Sequence, residues 1–256
     1  MKPAVSISIV SHKQITLVTE LLADIRDCCK DETVELILTL NLPEELPFSG
    51  NEFSFPLRVI RNRLPQGFGE NHNQAFQQAS ADFFCVLNPD LRIKENIFKP
   101  LISALRKDDH VGLVAPQVVN LKGEIEDSAR NFPAPGEILG KAFGRGSHRS
   151  PLEPGQIVFP DWVAGMFMLF PAPVFREIGG FDTRYFLYYE DVDLCARLML
   201  RGYRVALCQD VTVIHNARRA SHRSLEYLRW HTASMMRFFM SDAYRETRRR
   251  RDKNPG

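Results

Sequence analysis

Short apolar runs alternate with helical patterns along the first half of the chain, and that alternation restricts the fold before any motif is considered. Ala4–Val10 and Thr33–Leu40 are rich in β-branched and other apolar residues, and between them Leu17, Leu21, Leu22 and Ile25 recur at helical spacing. Strand, crossover helix and strand form the rhythm of a parallel sheet. Leu57–Arg61 reads as a third strand, about Glu70 to Ala79 as a helix, and Asp82–Leu87 as a buried strand that stops at Asn88-Pro89-Asp90. A helix over Glu95–Arg106 and a strand over Val111–Ala115 continue the pattern. The expected class is therefore α/β, a Rossmann-like, mostly parallel central sheet flanked by helices. Ligands of such sheets bind beyond the carboxyl ends of the strands. Ser11, Asn41 in the loop after Leu40, and Asn88–Asp90 are thus expected on one rim.

The second half reads less regularly. Asn131–Ile157, with nine Gly or Pro among 27 residues, is expected to be a long loop and a lid. A strand over Trp162–Phe170, a short helix over Pro173–Ile178 and a Gly179-Gly180-Phe181-Asp182 turn follow. Next come a helix from about Glu190 to Arg201, stopped by Gly202, and strands over Arg204–Leu207 and Val211–His215. Ser224–Met240, with Leu225, Leu228, Met235, Met236 and Phe239, has the spacing of an amphipathic helix.

Several classes are excluded by what is missing. The longest apolar stretch, Val163–Phe170, is eight residues, far short of a membrane span, and Met1–Val10 lacks the apolar core and cleavage site of a secretory signal. The protein is expected to stay in the cytoplasm. Cys28, Cys29, Cys85, Cys195 and Cys208 are odd in number and lack CxxC spacing, which indicates neither a disulfide framework nor a zinc site. Net charge is +2, but residues 222–256 hold nine basic against four acidic side chains, so the remainder is slightly acidic. A basic segment behind an amphipathic helix is expected to touch an anionic membrane face; the alternative is a helix packed on the core with a solvated tail.

Four segments carry chemistry. A carboxylate at a strand's carboxyl end, as in Asn88-Pro89-Asp90, can share Mg²⁺ or Mn²⁺ with a diphosphate, although the same triplet also makes an ordinary turn. Glu190, Asp191 and Asp193 place three carboxylates in four residues at a helix start; crowding raises a pKa as a general base requires, while the helix dipole would favour acids there in any case. Asp193 and Arg197 have the spacing of a surface ion pair. His215 ends a strand, six residues before Ser221, and can offer an imidazole ligand or serve structurally. Gly67 and Gly69 allow close backbone approach to a ligand, but His72 stands where a dinucleotide fingerprint has its third glycine, which disfavours a dehydrogenase.

In order, these segments resemble the family-2 glycosyltransferases, in particular the rhamnosyltransferase-like branch of O-antigen and surface polysaccharide synthesis. The likeness runs from Val5 to about Ser221. It rests on Val10-Ser11, Gly67-Phe68-Gly69 with Asn73, Leu87-Asn88-Pro89-Asp90, Trp162-Val163-Ala164-Gly165, Gly179-Gly180-Phe181-Asp182, the block Phe186 to Arg197, Gly202 and His215. The resemblance implies a GT-A fold over residues 1–221, with residues 1–120 as the nucleotide-sugar half, 121–221 as the acceptor and catalytic half, and 222–256 as a C-terminal appendage. It implies Asp191 as base beside Glu190, and a divalent ion at Asp90 with His215. Ser11, Asn41, Gly67, Asn73 and Asn88 would lie on the donor side, and Trp162, Gly165 and Tyr189 on the acceptor side. The implied partners are a nucleoside-diphosphate sugar and a saccharide, lipid-linked at the inner membrane face, and no nucleic acid. Two positions depart from the pattern: Leu40-Asn41 where Asp-Asn is common, and Asn88 where the first metal carboxylate stands. They motivate a non-catalytic binding protein as a rival reading. A sugar nucleotidyltransferase is the other, opposed by the absence of a glycine- and lysine-rich N-terminal loop.

Overall fold

The computed structural model describes residues 2–30, 33–132, 156–216 and 225–253, with side chains to residue 250. Most of the anticipated lid (133–155) and Ser221 lie outside the described residues. Strand β1 (Val5–Ser11) sits at the centre of a mixed sheet, with β2 (Val34–Leu40) and β3 (Leu57–Arg61) on one side and β4 (Phe83–Leu87) on the other. These four strands are parallel. The sheet continues through β10 (Phe167–Pro171), β6 (Val111–Asn120) and β11 (Arg204–His215) to β5 (Leu91–Arg92), with β8 (Ile157–Val158) beside β11. β10 alone runs antiparallel inside it, between β4 and β6.

Both faces of the sheet are covered, so its central strands are buried along almost their whole length and rich in apolar residues. Helices α1 (Ile15–Cys28) and α3 (Phe98–Lys107) press Leu21, Leu22, Ile25, Phe98 and Leu101 onto Ile7, Leu38 and Leu87. On the opposite face, α4 (Ala172–Glu177), α5 (Glu190–Leu200) and α6 (Leu225–Met240) bury Phe175, Leu194, Leu198 and Phe238 over Phe84, Val86 and Phe170. α2 (Phe68–Phe76) also lies on this side, and α7 (Asp242–Lys253) seats Tyr244 in the same cluster. No helix among the described residues is long and apolar enough to cross a membrane.

Three elements differ from the expectation, each for a local reason. The single strand expected over Trp162–Phe170 is broken: β9 (Trp162–Val163) pairs with β7 (Ala129–Arg130) away from the main sheet, and the chain turns at Ala164-Gly165-Met166 before β10. The two strands expected after Gly202 form one, β11, whose register shifts between Cys208 and Thr212. The shift lies opposite Pro116, which cannot donate to the ladder, so the extra residues of β11 absorb the gap and β6 continues past its proline. Finally, the basic segment, for which the alternative to membrane contact was a solvated tail, is helical over Asp242–Lys253, with Tyr244 and Thr247 buried and Arg250 donating to the carbonyls of Met199 and Leu200 at the end of α5. A guanidinium there satisfies carbonyls that the helix leaves open.

Candidate active site

Five buried residues fix β4 between β1 and β10, so the turn that follows is delivered to the carboxyl edge in a set position. In that turn Asp90 Oδ2 lies 3.2 Å from His215 Nε2, while Asp90 Oδ1 is buried with no hydrogen-bond partner. The end of β11 folds onto β5, pairing His215 with Leu91, and the Asn216 N–H donates to the Asp90 carbonyl at 2.8 Å. The other ring nitrogen of His215, Nδ1, is 2.6 Å from Glu126 Oε2. The hydrogen bond to Asp90 above all, with that to Glu126, lifts the His215 pKa to about 9 against the opposing effect of burial.

An unpartnered buried carboxylate oxygen fits a hard divalent cation. Among the described residues no three His, Cys, Asp or Glu side chains converge as a complete cage, which matches an ion that takes one or two protein ligands and fills its shell on a diphosphate. Asp90 is the residue that would hold it. His215, cationic between two carboxylates, aims Asp90 through its second oxygen and could ligate an ion only after losing its proton.

The second cluster opens α5. Tyr188 and Tyr189 precede it with φ of 70° and 66°, two successive left-handed residues that a non-glycine chain rarely adopts. Their conformation turns the chain sharply into the helix and aims its first turn at Gly165. The Gly165 N–H donates to Asp191 Oδ2 at 3.0 Å, and the Val192 N–H to Oδ1 at 2.8 Å. Burial raises the Asp191 pKa, and those two N–H groups and the Arg130 guanidinium hold the rise back. Glu190 is buried, its Oε2 has no partner, and burial together with the Asp191 charge pushes its pKa well above the ordinary range.

Two successive residues of backbone, Gly165 and Met166, join the clusters. Gly165 donates to Asp191, and the next carbonyl, Met166, accepts from the Asn88 N–H at 2.9 Å. A Cβ on Gly165 would also sit 3.1 Å from the Phe68 ring, so this turn packs tightly. Trp162 lies on the same approach, its Nε1 donating to the Asn131 carbonyl and its ring under Arg130. Tyr189 stacks on His231 and Phe238 at 5.5 and 5.8 Å.

The residues expected on the donor rim are largely engaged with protein. Ser11 Oγ donates to Glu44 Oε1, which also receives the Lys13 N–H. Asn41 accepts from Asn62 Nδ2 and the Gln66 N–H, and its Nδ2 reaches His12 Nδ1 and the Gln66 carbonyl. Asn73 clamps both backbone groups of Phe181, at 2.8 and 2.9 Å. The glycines differ from expectation: the close approach at Gly67 is by the Phe186 backbone, with a Cβ meeting its oxygen at 2.8 Å, and at Gly69 by Phe181 Cβ at 2.5 Å. Both serve packing of α2 against the 181–186 segment. The Asp193–Arg197 pair, at 2.7 Å, is likewise no surface pair: Asp193 is buried and Arg197 donates onward to the Ile178 carbonyl.

Sequence reasoning missed Glu126, Arg130 and His231. Glu126 and Arg130 lie in a polar stretch without a motif and His231 on a helix read only for its apolar spacing, and only the paired β7 and β9 and the packing of α6 bring them to this region.

Comparisons with known proteins bear on the family and the fold. Rhamnosyltransferase WbbL of Escherichia coli (strain K12) is 30% identical over 186 residues, 67% of this chain and 69% of its own length. The N-acetylglucosaminyl-diphospho-decaprenol L-rhamnosyltransferase of Mycobacterium tuberculosis is 28% identical over 172 residues, 63% of this chain; the match spans just over half, 56%, of that protein. Mannosyltransferase PcManGT from Pyrobaculum calidifontis, solved with GDP-Man and Mn²⁺, shares the fold at a TM-score of 0.62 and 16% identity, covering 93% of this chain and 65% of that one. The profile of Glycosyl transferase family 2 matches residues 21–168, more than half of the chain, from within α1 through the Asn88–Asp90 turn into β10. With that match and a sheet, turn and helix start arranged as the resemblance required, the chain belongs to glycosyl transferase family 2.

Proposed function

We propose that the protein transfers a sugar, with inversion, from a nucleoside-diphosphate sugar to a hydroxyl of a saccharide acceptor. The observation that carries this reading is that the Gly165–Met166 turn ties Asp191 to the Asn88–Asp90 turn, where one buried Asp90 oxygen has no partner. Two carboxylates in such different settings suit different tasks. Asp191, freed of its proton, takes the proton of the acceptor hydroxyl as that oxygen attacks the anomeric carbon from the face opposite the diphosphate. One in-line displacement inverts the centre. Gly165 and Val192 orient the carboxylate through their N–H groups, and Tyr189 and Trp162 line the approach. Glu190, kept neutral beside it, leaves Asp191 the unpaired charge at the helix start, since Asp193 is paired with Arg197.

Asp90 would hold Mg²⁺ or Mn²⁺, which when bound supplies positive charge to the departing diphosphate. His215 keeps Asp90 in place and adds its own positive charge. Ser11, Asn41, Gly67, Asn73 and Asn88 shape the donor half, residues 1–120, by fixing its loops, and residues 121–221 carry the acceptor half. Two rhamnosyltransferase relatives support rhamnose as the sugar, and the mycobacterial relative's name supports a lipid-diphosphate-linked acceptor met at the cytoplasmic membrane face.

The test is transfer from a panel of nucleoside-diphosphate sugars to a saccharide-diphosphate lipid analogue, with Mg²⁺ or Mn²⁺ and then with excess EDTA. Asp191→Asn should retain fold and donor binding but lose at least about a hundredfold in kcat, the lower range of general-base catalysis. Asp90→Ala and EDTA should each abolish turnover. Donor binding without transfer or hydrolysis by wild type under every condition would overturn the reading and leave a binding protein.

A further inference from the structure

α6 has two apolar faces, and the fold uses one of them. The inner face grips the segment that leads into α5. Trp230 rests on Phe186 at 4.7 Å, His231 on Tyr188 at 5.3 Å, and Ser234 Oγ donates to the Leu187 carbonyl at 2.8 Å. On the opposite side Leu225, Leu228, Met236 and Met240 are 85, 63, 54 and 61% exposed. At 100° per residue these four positions fall in one stripe along the helix. A continuous apolar stripe facing water marks a surface that something covers.

Charge identifies the cover. Arg229 projects within the stripe and Arg237 at its edge, while α7 adds Arg245, Arg248 and Arg249, all exposed. Over residues 225–250 six arginines stand against three carboxylates. Met236 and Met240 also line a cleft of about 1090 Å³ between α5, α6 and α7, whose walls carry Arg237, Arg245 and Arg249 together with the carboxylates of Asp182, Asp193, Asp242 and Glu246. A second copy seated on this face would set the two arginine rows against each other. An anionic surface with an apolar layer beneath satisfies both features.

We infer that the outer face of α6, with the arginines of α7, docks on an anionic lipid bilayer: the leucines and methionines enter the boundary between headgroups and acyl chains, and the guanidinium groups meet lipid phosphates. Because the inner face of the same helix holds the left-handed Tyr188-Tyr189 turn before Asp191, docking also fixes the height and tilt of the site above the bilayer. That corollary rests on the transfer reading; the docking itself does not.

Flotation of the full chain with phosphatidylcholine vesicles, and with vesicles one-third phosphatidylglycerol, tests it without any turnover. Wild type should float with the anionic vesicles and be released by salt. The joint change Leu225→Ser, Leu228→Ser, Met236→Ser and Met240→Ser should lower recovery at least about tenfold, and Arg229→Gln and Arg248→Gln about fivefold each. All six side chains are exposed, so melting temperatures should stay within a degree or two, which separates lost docking from lost fold. Equal recovery of the serine variant, or equal recovery on phosphatidylcholine alone, would overturn the proposal. So would a wild-type dimer in sedimentation that the serine changes dissolve, which would assign the stripe to a second copy.

Discussion

Glu190 and Asp191 are neighbours in the chain and differ in what surrounds them. Asp191 receives two backbone N–H groups, whereas Glu190 is enclosed with an unpartnered oxygen, so the first proton of the pair leaves from Asp191. The active form thus has Asp191 ionised and Glu190 neutral. With Asp191 as base, kcat/KM should rise with pH along its acid limb, with a midpoint above the ordinary aspartate value of 3.8, because burial favours the protonated form. Glu190→Gln, which imitates the neutral acid, should keep most activity and leave that limb nearly where it is, since Glu190 carries no charge across it; a pH–rate series on both proteins checks this. His72 supplies a stability counterpart. It is enclosed against Ser8, and burial lowers its pKa from 6.5 to about 3. Between these values the unfolded chain binds a proton that the folded chain refuses, so stability falls as pH falls, by about 1.4 kcal/mol per unit. Urea midpoints at pH 6.5 and 5 should show that slope in wild type and a smaller one in His72→Gln.

α2 and α5 are placed by contacts that leave no room for added atoms. The anticipated start of α2 at Glu70 falls short of its observed start at Phe68, because the Phe68 N–H bonds the Phe186 carbonyl and Gly67 lets that backbone close in. A methyl on Gly69 would press on Phe181 Cβ, an atom next to the main chain that cannot swing aside. Gly69→Ala should therefore destabilise by about 1–3 kcal/mol, as overpacking does. Gly50→Ala, where a Cβ meets nothing within 4 Å, should leave the melting temperature nearly unchanged, and a paired thermal melt distinguishes them. The Asp193–Arg197 pair belongs to the same packing, since it ties α5 to the Ile178 carbonyl behind it.

Two cores lie back to back across one sheet, and the C-terminal helices complete the second. Phe238 is fully buried there, against Tyr189, Phe132 and Tyr244. Phe238→Ala should cost about 3–5 kcal/mol, the range for emptying a buried aromatic site. Because Tyr189 rests on that ring immediately before Glu190, kcat should fall while donor affinity is kept; urea unfolding and nucleotide-binding titrations on the one variant read both effects.

The parallel half of the sheet was legible in the chain because strands covered on both faces are largely apolar: β4 is so throughout, and β2 apart from Glu35 and Thr39. The site's two acidic segments were legible for a related reason: Asp90 follows a buried strand and Asp191 opens a helix, so local sequence already places each at an element's end. Which face the serines of β1 would show was not. Ser6 and Ser8 alternate with apolar residues as though one side met water, yet both are buried, bonded to Glu35 and His72 from other elements. Nor could local pattern show that Gly67 and Asn73 hold α2 to the 181–186 segment, or that Glu126 stands behind His215. Periodicity reports which side of an element is apolar, since that follows from the geometry of a few successive residues. The partner of a polar group is chosen by chain segments scores of residues away, and only their packing, which leaves buried donors and acceptors no water to turn to, decides it.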